Sequence, residues 1–129
     1  MPKHISSTPK IFILDDDHDI LNSLTELFKS ENFRVSSATD ACNLYERLDE
    51  FGPDLLLLDV VLKVDNGNRI CEELKADSRY SHIPIILMSA IYNFHRQTSS
   101  SPVFADDYID KPFSNDEILE KVLTLLRQD

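Results

Sequence analysis

Along the chain, short unbroken apolar runs alternate with longer stretches in which apolar residues recur at helical spacing. A strand that is apolar on both faces must be covered on both, so the alternation predicts an α/β domain built on a doubly wound, five-stranded parallel sheet. Residues 10–14 (Lys-Ile-Phe-Ile-Leu) form the first strand, and a helix follows whose inward stripe is Ile20, Leu24, Leu27 and Phe28. Residues 33–37 make a second, weaker strand, and 40–49 a helix resting on Ala41, Leu44 and Leu48. The run Leu55 to Leu58 is apolar at every position and therefore belongs in the middle of the sheet. A turn through Asn66-Gly67 leads into a helix with Ile70, Cys71 and Leu74 inward. Strand four runs from Ile83 to Met88, opening at Pro84, where a missing amide donor is tolerated. Strand five is short, around Tyr108 to Asp110. The last helix starts at a capping box, Ser114 with Glu117 three residues on, and buries Ile118, Val122, Leu125 and Leu126.

One segment breaks the pattern. Between Ala90 and Ala105, where the fourth of five helices should lie, three consecutive serines followed by Pro102 predict a short or irregular helix. Residues 1–9 read as a flexible N-terminal tail and 10–129 as one domain, since 129 residues with 42% apolar content fill one core but not two. No apolar run approaches the roughly 20 residues of a membrane span, and the first ten residues lack a signal-peptide pattern, so a cytoplasmic location is expected. Cys42 and Cys71 read as small core or boundary residues, without a disulfide framework. A net charge of −10 argues against direct contact with nucleic acid, which draws on Lys and Arg, and favours a cation or a basic protein surface.

The polar residues of interest each follow an apolar run: Asp15 and Asp16 after strand one, Asp59 after strand three, Ser89 after strand four, Lys111 after strand five. In a parallel sheet these ends share one edge, and in the order 2-1-3-4-5 the crevice lies between strands one and three, the two that carry carboxylates. Converging carboxylates repel unless a cation lies between them, and Mg²⁺ suits such a site because it accepts a few carboxylates and leaves room for a phosphate oxygen. Lys111 adds a compact positive charge and Ser89 a hydroxyl that can donate to an anion. A carboxylate nucleophile, a metal, an ammonium and a hydroxyl are the parts phosphoryl transfer needs. Gly52 and Gly67 are the only glycines, which excludes a Walker loop or a dinucleotide fingerprint. His4, His18, His82 and His95 show no metal-ligand spacing and are expected at the surface.

These residues have plainer readings when taken singly. Asp15, Asp16 and Asp17 suit a helix N-terminus, with Asp17 as cap or surface charge. Ser89 could cap the next helix, Lys111 could be a structural ion-pair partner, and Tyr108 a packing aromatic. Together they resemble the receiver domain of a bacterial response regulator, from about Lys10 to Arg127. The matching pieces are Asp15-Asp16-Asp17, Leu-Leu-Asp59, Gly67, Ser89-Ala90, Tyr108 and Lys111-Pro112-Phe113, at that family's spacings.

The resemblance implies a flavodoxin-like receiver fold and a two-component phosphorelay. Asp59 would accept phosphate from a histidine kinase or phosphotransfer protein. Asp16, Asp59 and the Val61 backbone carbonyl would bind Mg²⁺, with Asp15 acting mainly through a metal-bound water. Ser89 and Lys111 would bind the phosphate, and Tyr108 would move inward as a switch, altering the surface of the 90–105 segment, strand five and the last helix. A downstream protein target or output domain is implied, along with a phosphorylation-dependent dimer. The domain would be a stand-alone regulator or the receiver of a longer regulator or kinase, and a switch rather than an enzyme. Lys63 stands where the family has proline and Asn66 where it often has aspartate, which should loosen the loop after Asp59. Val61 and Ile91 are apolar at the positions that tune water attack on the acyl phosphate, so slow self-dephosphorylation is expected. Two other functions fit less well: a degenerate receiver that docks without phosphate, and a Mg²⁺-dependent phosphatase, for which 129 residues leave no cap domain.

Overall fold

In the computed structural model, residues 8–89 and 105–127 are described. Five parallel strands form one sheet in the order β2-β1-β3-β4-β5. The strands are β1 (Lys10–Leu14), β2 (Arg34–Ala38), β3 (Leu55–Asp59), β4 (Ile85–Ser89) and β5 (Asp107–Asp110). The described helices are α1 (His18–Ser30), α2 (Leu44–Phe51), α3 (Gly67–Ala76) and α4 (Asn115–Leu126). The expected tail, the irregular helix between 90 and 105, Ile91, His4 and His95 fall wholly or mainly outside the described residues.

Side chains alternate across the sheet and so supply two cores. Phe12, Leu14, Leu56, Leu58, Ile85 and Leu87 pack under α2 and α3 with Leu44, Leu48, Ile70, Cys71 and Leu74. Ile11, Ile13, Leu55, Leu57, Ile86, Met88 and Ile109 pack under α1 and α4 with Leu21, Leu24, Phe28, Ile118, Val122 and Leu126. Every residue of β3 is buried, as its unbroken leucines require of a central strand. Among the described residues no helix is long and apolar enough to cross a membrane.

Local chemistry moves several boundaries from where the apolar pattern puts them. The second helix begins at Leu44 rather than at 40, because Asp40 Oδ1 accepts the Cys42 amide at 2.9 Å and Asn43 turns left-handed at φ 56°. Such a local side-chain bond offers the backbone an alternative to the helix. Cys42 is consequently exposed, not a core residue, whereas Cys71 is buried and its thiol is pushed up to about 12 by burial. Strand two is one residue later than expected. Strand four starts at Ile85, since the Ile83 amide closes a turn onto Tyr80 and Pro84 meets β3 only through its carbonyl, which accepts the Leu56 amide at 2.9 Å. On α1 the buried stripe is Leu21, Leu24 and Phe28; Ile20 and Leu27 flank it. On α4, Leu125 likewise flanks Ile118, Val122 and Leu126.

The capping box at α4 is formed in both directions: Ser114 Oγ accepts the Glu117 amide at 3.1 Å, and Glu117 Oε1 accepts the Ser114 amide at 3.2 Å. Ser114→Ala is expected to cost about 1 kcal/mol. Urea unfolding should show a lower midpoint with an unchanged slope.

Candidate functional site

At the carboxyl edge of the sheet, β1 delivers Asp15 and Asp16 and β3 delivers Asp59. The Asp15 amide bonds to the Ala38 carbonyl at 3.2 Å, extending the β1–β2 ladder by one residue. The chain then turns sharply, and the Asp17 amide donates to Asp15 Oδ1 at 2.9 Å. Asp17 itself is the N-cap of α1, accepting from the amides of Asp19 and Ile20, as its sequence position suggested. Asp15 and Asp59 are buried and Asp16 is half-buried. One carboxylate oxygen from each of the three lies within 4.8 Å of the other two.

Lys111 enters from just beyond β5. Its Nζ lies 2.7 Å from Asp15 Oδ2 and 3.5 Å from Asp59 Oδ1, and its amide donates to the Ser89 carbonyl at 2.7 Å. Ser89 is buried at the end of β4. The Val61 amide donates to Asp59 Oδ1 at 3.3 Å, while the Val61 side chain stands half exposed. Tyr108 is held on the flank of the sheet, half-buried against the core under α2 and α3, and burial raises its phenol. The structure thus gathers Asp15, Asp16, Asp59 and Lys111 by side chain, and Ser89 and Val61 by main chain.

Burial pushes the Asp59 carboxyl up to about 6, and the negative charge of Asp15 adds to the effect; Lys111 and the Val61 amide oppose it, and Asp16 adds a little more. Three carboxylates face one ammonium, so the ionised pocket carries excess negative charge in a poorly hydrated place. Hard oxygen donors with unbalanced charge fit a small divalent cation.

The loop after Asp59 is closed despite Lys63 and Asn66. Val61 and Asn66 form an antiparallel bridge, the Leu62 amide bonds to Asp65, and the Gly67 amide bonds to the Val60 carbonyl at 2.7 Å. Asn66 caps α3, accepting the Asn68 amide at 2.8 Å, a task an aspartate oxygen would do equally well. Arg69 ties the same turn down by pairing with Asp65 and Glu73. Gly67 is required here by space: a Cβ would stand 2.0 Å from the Asp59 carbonyl oxygen and 2.9 Å from Val60 Cα.

Two features escaped the sequence reading. One is the amide of Asp17 as an anchor for Asp15. The other is a cavity of about 590 Å³ lined by Ile20, Leu24, Pro112 and Phe113 together with the polar Asp19, Ser23, Lys111 and Asn115. The sequence signal for it was Phe113, which no helix stripe uses; Ile20 was assigned to the inward stripe of the first helix.

The sequence profile of the response regulator receiver domain matches residues 11–123. Protein RcaC of Microchaete diplosiphon is 32% identical over 92% of this chain and 18% of its own length. The DNA-binding dual master transcriptional regulator RpaA of Synechocystis is 31% identical over 93% of this chain and 50% of its own. The chain therefore spans half or less of the length of these curated relatives. A CheY-like response regulator receiver domain protein from Methanospirillum hungatei superposes with a TM-score of 0.81 at 26% identity, over 93% of this chain and 94% of that one.

Proposed function

Because the chain belongs to the response regulator receiver domain family, we propose that it takes a phosphoryl group from a histidine kinase or phosphotransfer protein onto Asp59 and so switches a protein-binding surface. The observation that carries this reading is the convergence of Asp15, Asp16 and Asp59 within 4.8 Å, with Lys111 Nζ reaching both buried carboxylates. Asp16, Asp59 and the Val61 carbonyl would hold a Mg²⁺ ion. Bound there, it supplies charge neutralisation for the pocket and for the incoming phosphoryl oxygens. Asp15 serves from behind, since its two oxygens already accept from the Asp17 amide and from Lys111.

The Val61 amide and the Lys111 ammonium both address Oδ1 of Asp59, which leaves Oδ2 as the attacking atom. A P–N bond to the donor imidazole breaks, a P–O bond to Asp59 forms, and the departing ring takes a proton from solvent if it leaves unprotonated. Lys111 then pairs with the phosphoryl group, and the Ser89 hydroxyl donates to it from the end of β4. Both residues hang on the β4–β5 pair, so phosphate bound to them pulls on β5, where Tyr108 sits at the family's switch position. The responding surface comprises β5 and α4, with a protein target or output domain and a phosphorylation-dependent dimer as its partners. The apolar cavity beside Lys111 suits an apolar side chain of the phosphodonor protein. With a net charge of −10, the domain itself is read as making no direct contact with nucleic acid.

This is a switch and not a turnover enzyme. Its phosphorylated form should be long-lived, because the residue next to Val60 at the mouth of the pocket, Val61, offers no group to activate water. Intact-mass measurement after incubation with acetyl phosphate and Mg²⁺ should show one phosphoryl group per chain, absent when EDTA is present and persisting for minutes or longer. No gain of mass would favour a docking module that works without phosphate; loss within seconds would contradict the role given to Val61.

A further inference from the structure

Lys75, in the last turn of α3, reaches three acceptors on two separate segments at the amino edge of the sheet. Its Nζ donates to the Ile83 carbonyl at 2.8 Å and the Ser81 carbonyl at 3.3 Å in the loop before β4, and to Asp106 Oδ2 at 2.7 Å just before β5. The same Asp106 oxygen accepts the Ile85 amide at 2.8 Å, and the Asp106 amide donates to the Ile85 carbonyl at 2.9 Å. The β4–β5 ladder therefore begins in a ring of bonds closed by one ammonium.

Strand β5 needs such a fixture. It has four residues, lies at the edge of the sheet and pairs with β4 alone. Short edge strands fray, and a slip of one residue would turn Tyr108 to the opposite face and carry Lys111 along the sheet by about 3.3 Å. The Lys111 amide bond to Ser89 marks the far end of the same ladder. An exposed ion pair holds little, but the Lys75 side chain is only 16% exposed and is shared among three acceptors.

We infer that Lys75 is a positioning residue: through Asp106 it locks the register of β5 and thereby places Lys111 against Asp15 and Asp59. The functional weight of this inference rests on the phosphoacceptor reading; the register does not.

Amide hydrogen exchange on the whole chain separates the two. Lys75→Met should speed exchange about tenfold at both the Asp106 and the Lys111 amides, the size expected from losing a charge-assisted hydrogen bond, with the amides of β3 unchanged. Lys75→Arg should restore most of the protection. Acceleration at Asp106 alone, or equal acceleration throughout β3, overturns the inference. In the same Lys75→Met protein, phosphorylation by acetyl phosphate should slow several-fold while Mg²⁺ affinity stays at the wild-type value; a wild-type rate would overturn the placement of Lys111. A wild-type chain that takes no phosphate would sink the phosphoacceptor reading and leave the exchange data to judge the register.

Discussion

Asp59→Asn is expected to abolish phosphorylation and, in metal-free buffer at neutral pH, to melt at a higher temperature than the wild type. The first effect follows from losing the proposed nucleophile, since an amide oxygen forms no stable acyl phosphate and no other carboxylate of the pocket is addressed by both Lys111 and the Val61 amide. The second follows from the direction of the Asp59 shift. Its folded pKa is raised from 3.8 to about 6 by burial first and the Asp15 charge second, so the native state holds the proton more tightly than the unfolded chain does. The stability this contributes is fully present below pH 3.8 and is lost as pH rises through about 6. Over that window the metal-free wild type should lose about 2 to 3 kcal/mol. Asparagine, which never ionises, removes that slope. Thermal melts between pH 4 and pH 8 test the point: parallel curves for the two proteins would contradict it. Adding Mg²⁺ should narrow the gap at neutral pH, because a cation repays the ionised form.

Gly67→Ala should be the most damaging single-methyl change in the loop region. Helix propensity alone predicts the opposite sign, since alanine inside a helix is better than glycine by about 1 kcal/mol. The added Cβ, however, would stand 2.0 Å from the carbonyl oxygen of Asp59 and 2.8 Å from its carbonyl carbon, and these are main-chain atoms of a fully buried strand with nowhere to go. Overpacking against backbone wins by magnitude: about 3 kcal/mol lost, or roughly 10 °C in melting temperature. Because α3 must back away from the strand that carries Asp59, Mg²⁺ affinity should fall as well. A variant that melts at or above the wild-type temperature would show that α3 is free to move, and would remove the close approach as the reason for glycine.

Much of this is legible in the amino-acid sequence alone. The strands could be located because a sheet buried on both faces demands unbroken apolar runs, and Leu55 to Leu58 admits hardly another interpretation. Asp15, Asp16, Asp59 and Lys111 could be grouped because each follows such a run, and parallel strands place their ends along one edge. What escaped depends on contacts that are local in a different way or distant in sequence. The start of α2 was displaced by the Asp40 side chain capturing the Cys42 amide, which no periodicity reveals. The face of α1 was read a fraction of a turn off, because Ile20 and Leu27 are as apolar as Leu21 and only packing against the sheet decides among them. Gly67 was recognised as a match, but the reason for it lies in the approach of α3 to the Asp59 carbonyl. Lys75 drew no notice at all, since its carboxylate partner, Asp106, lies far along the chain, just before β5.

The alternation of side chains along the strands has a bearing on ancestry. Phe12 and Leu56 serve one flank, Ile13 and Leu57 the other, and the acidic cluster is built from residues where the strands stop. Either flank can therefore drift in composition, one layer compensating within itself, without disturbing the geometry of the acids. Chains that differ from this one at about three positions in four can for that reason still be built on the same sheet, as the 0.81 superposition at 26% identity illustrates.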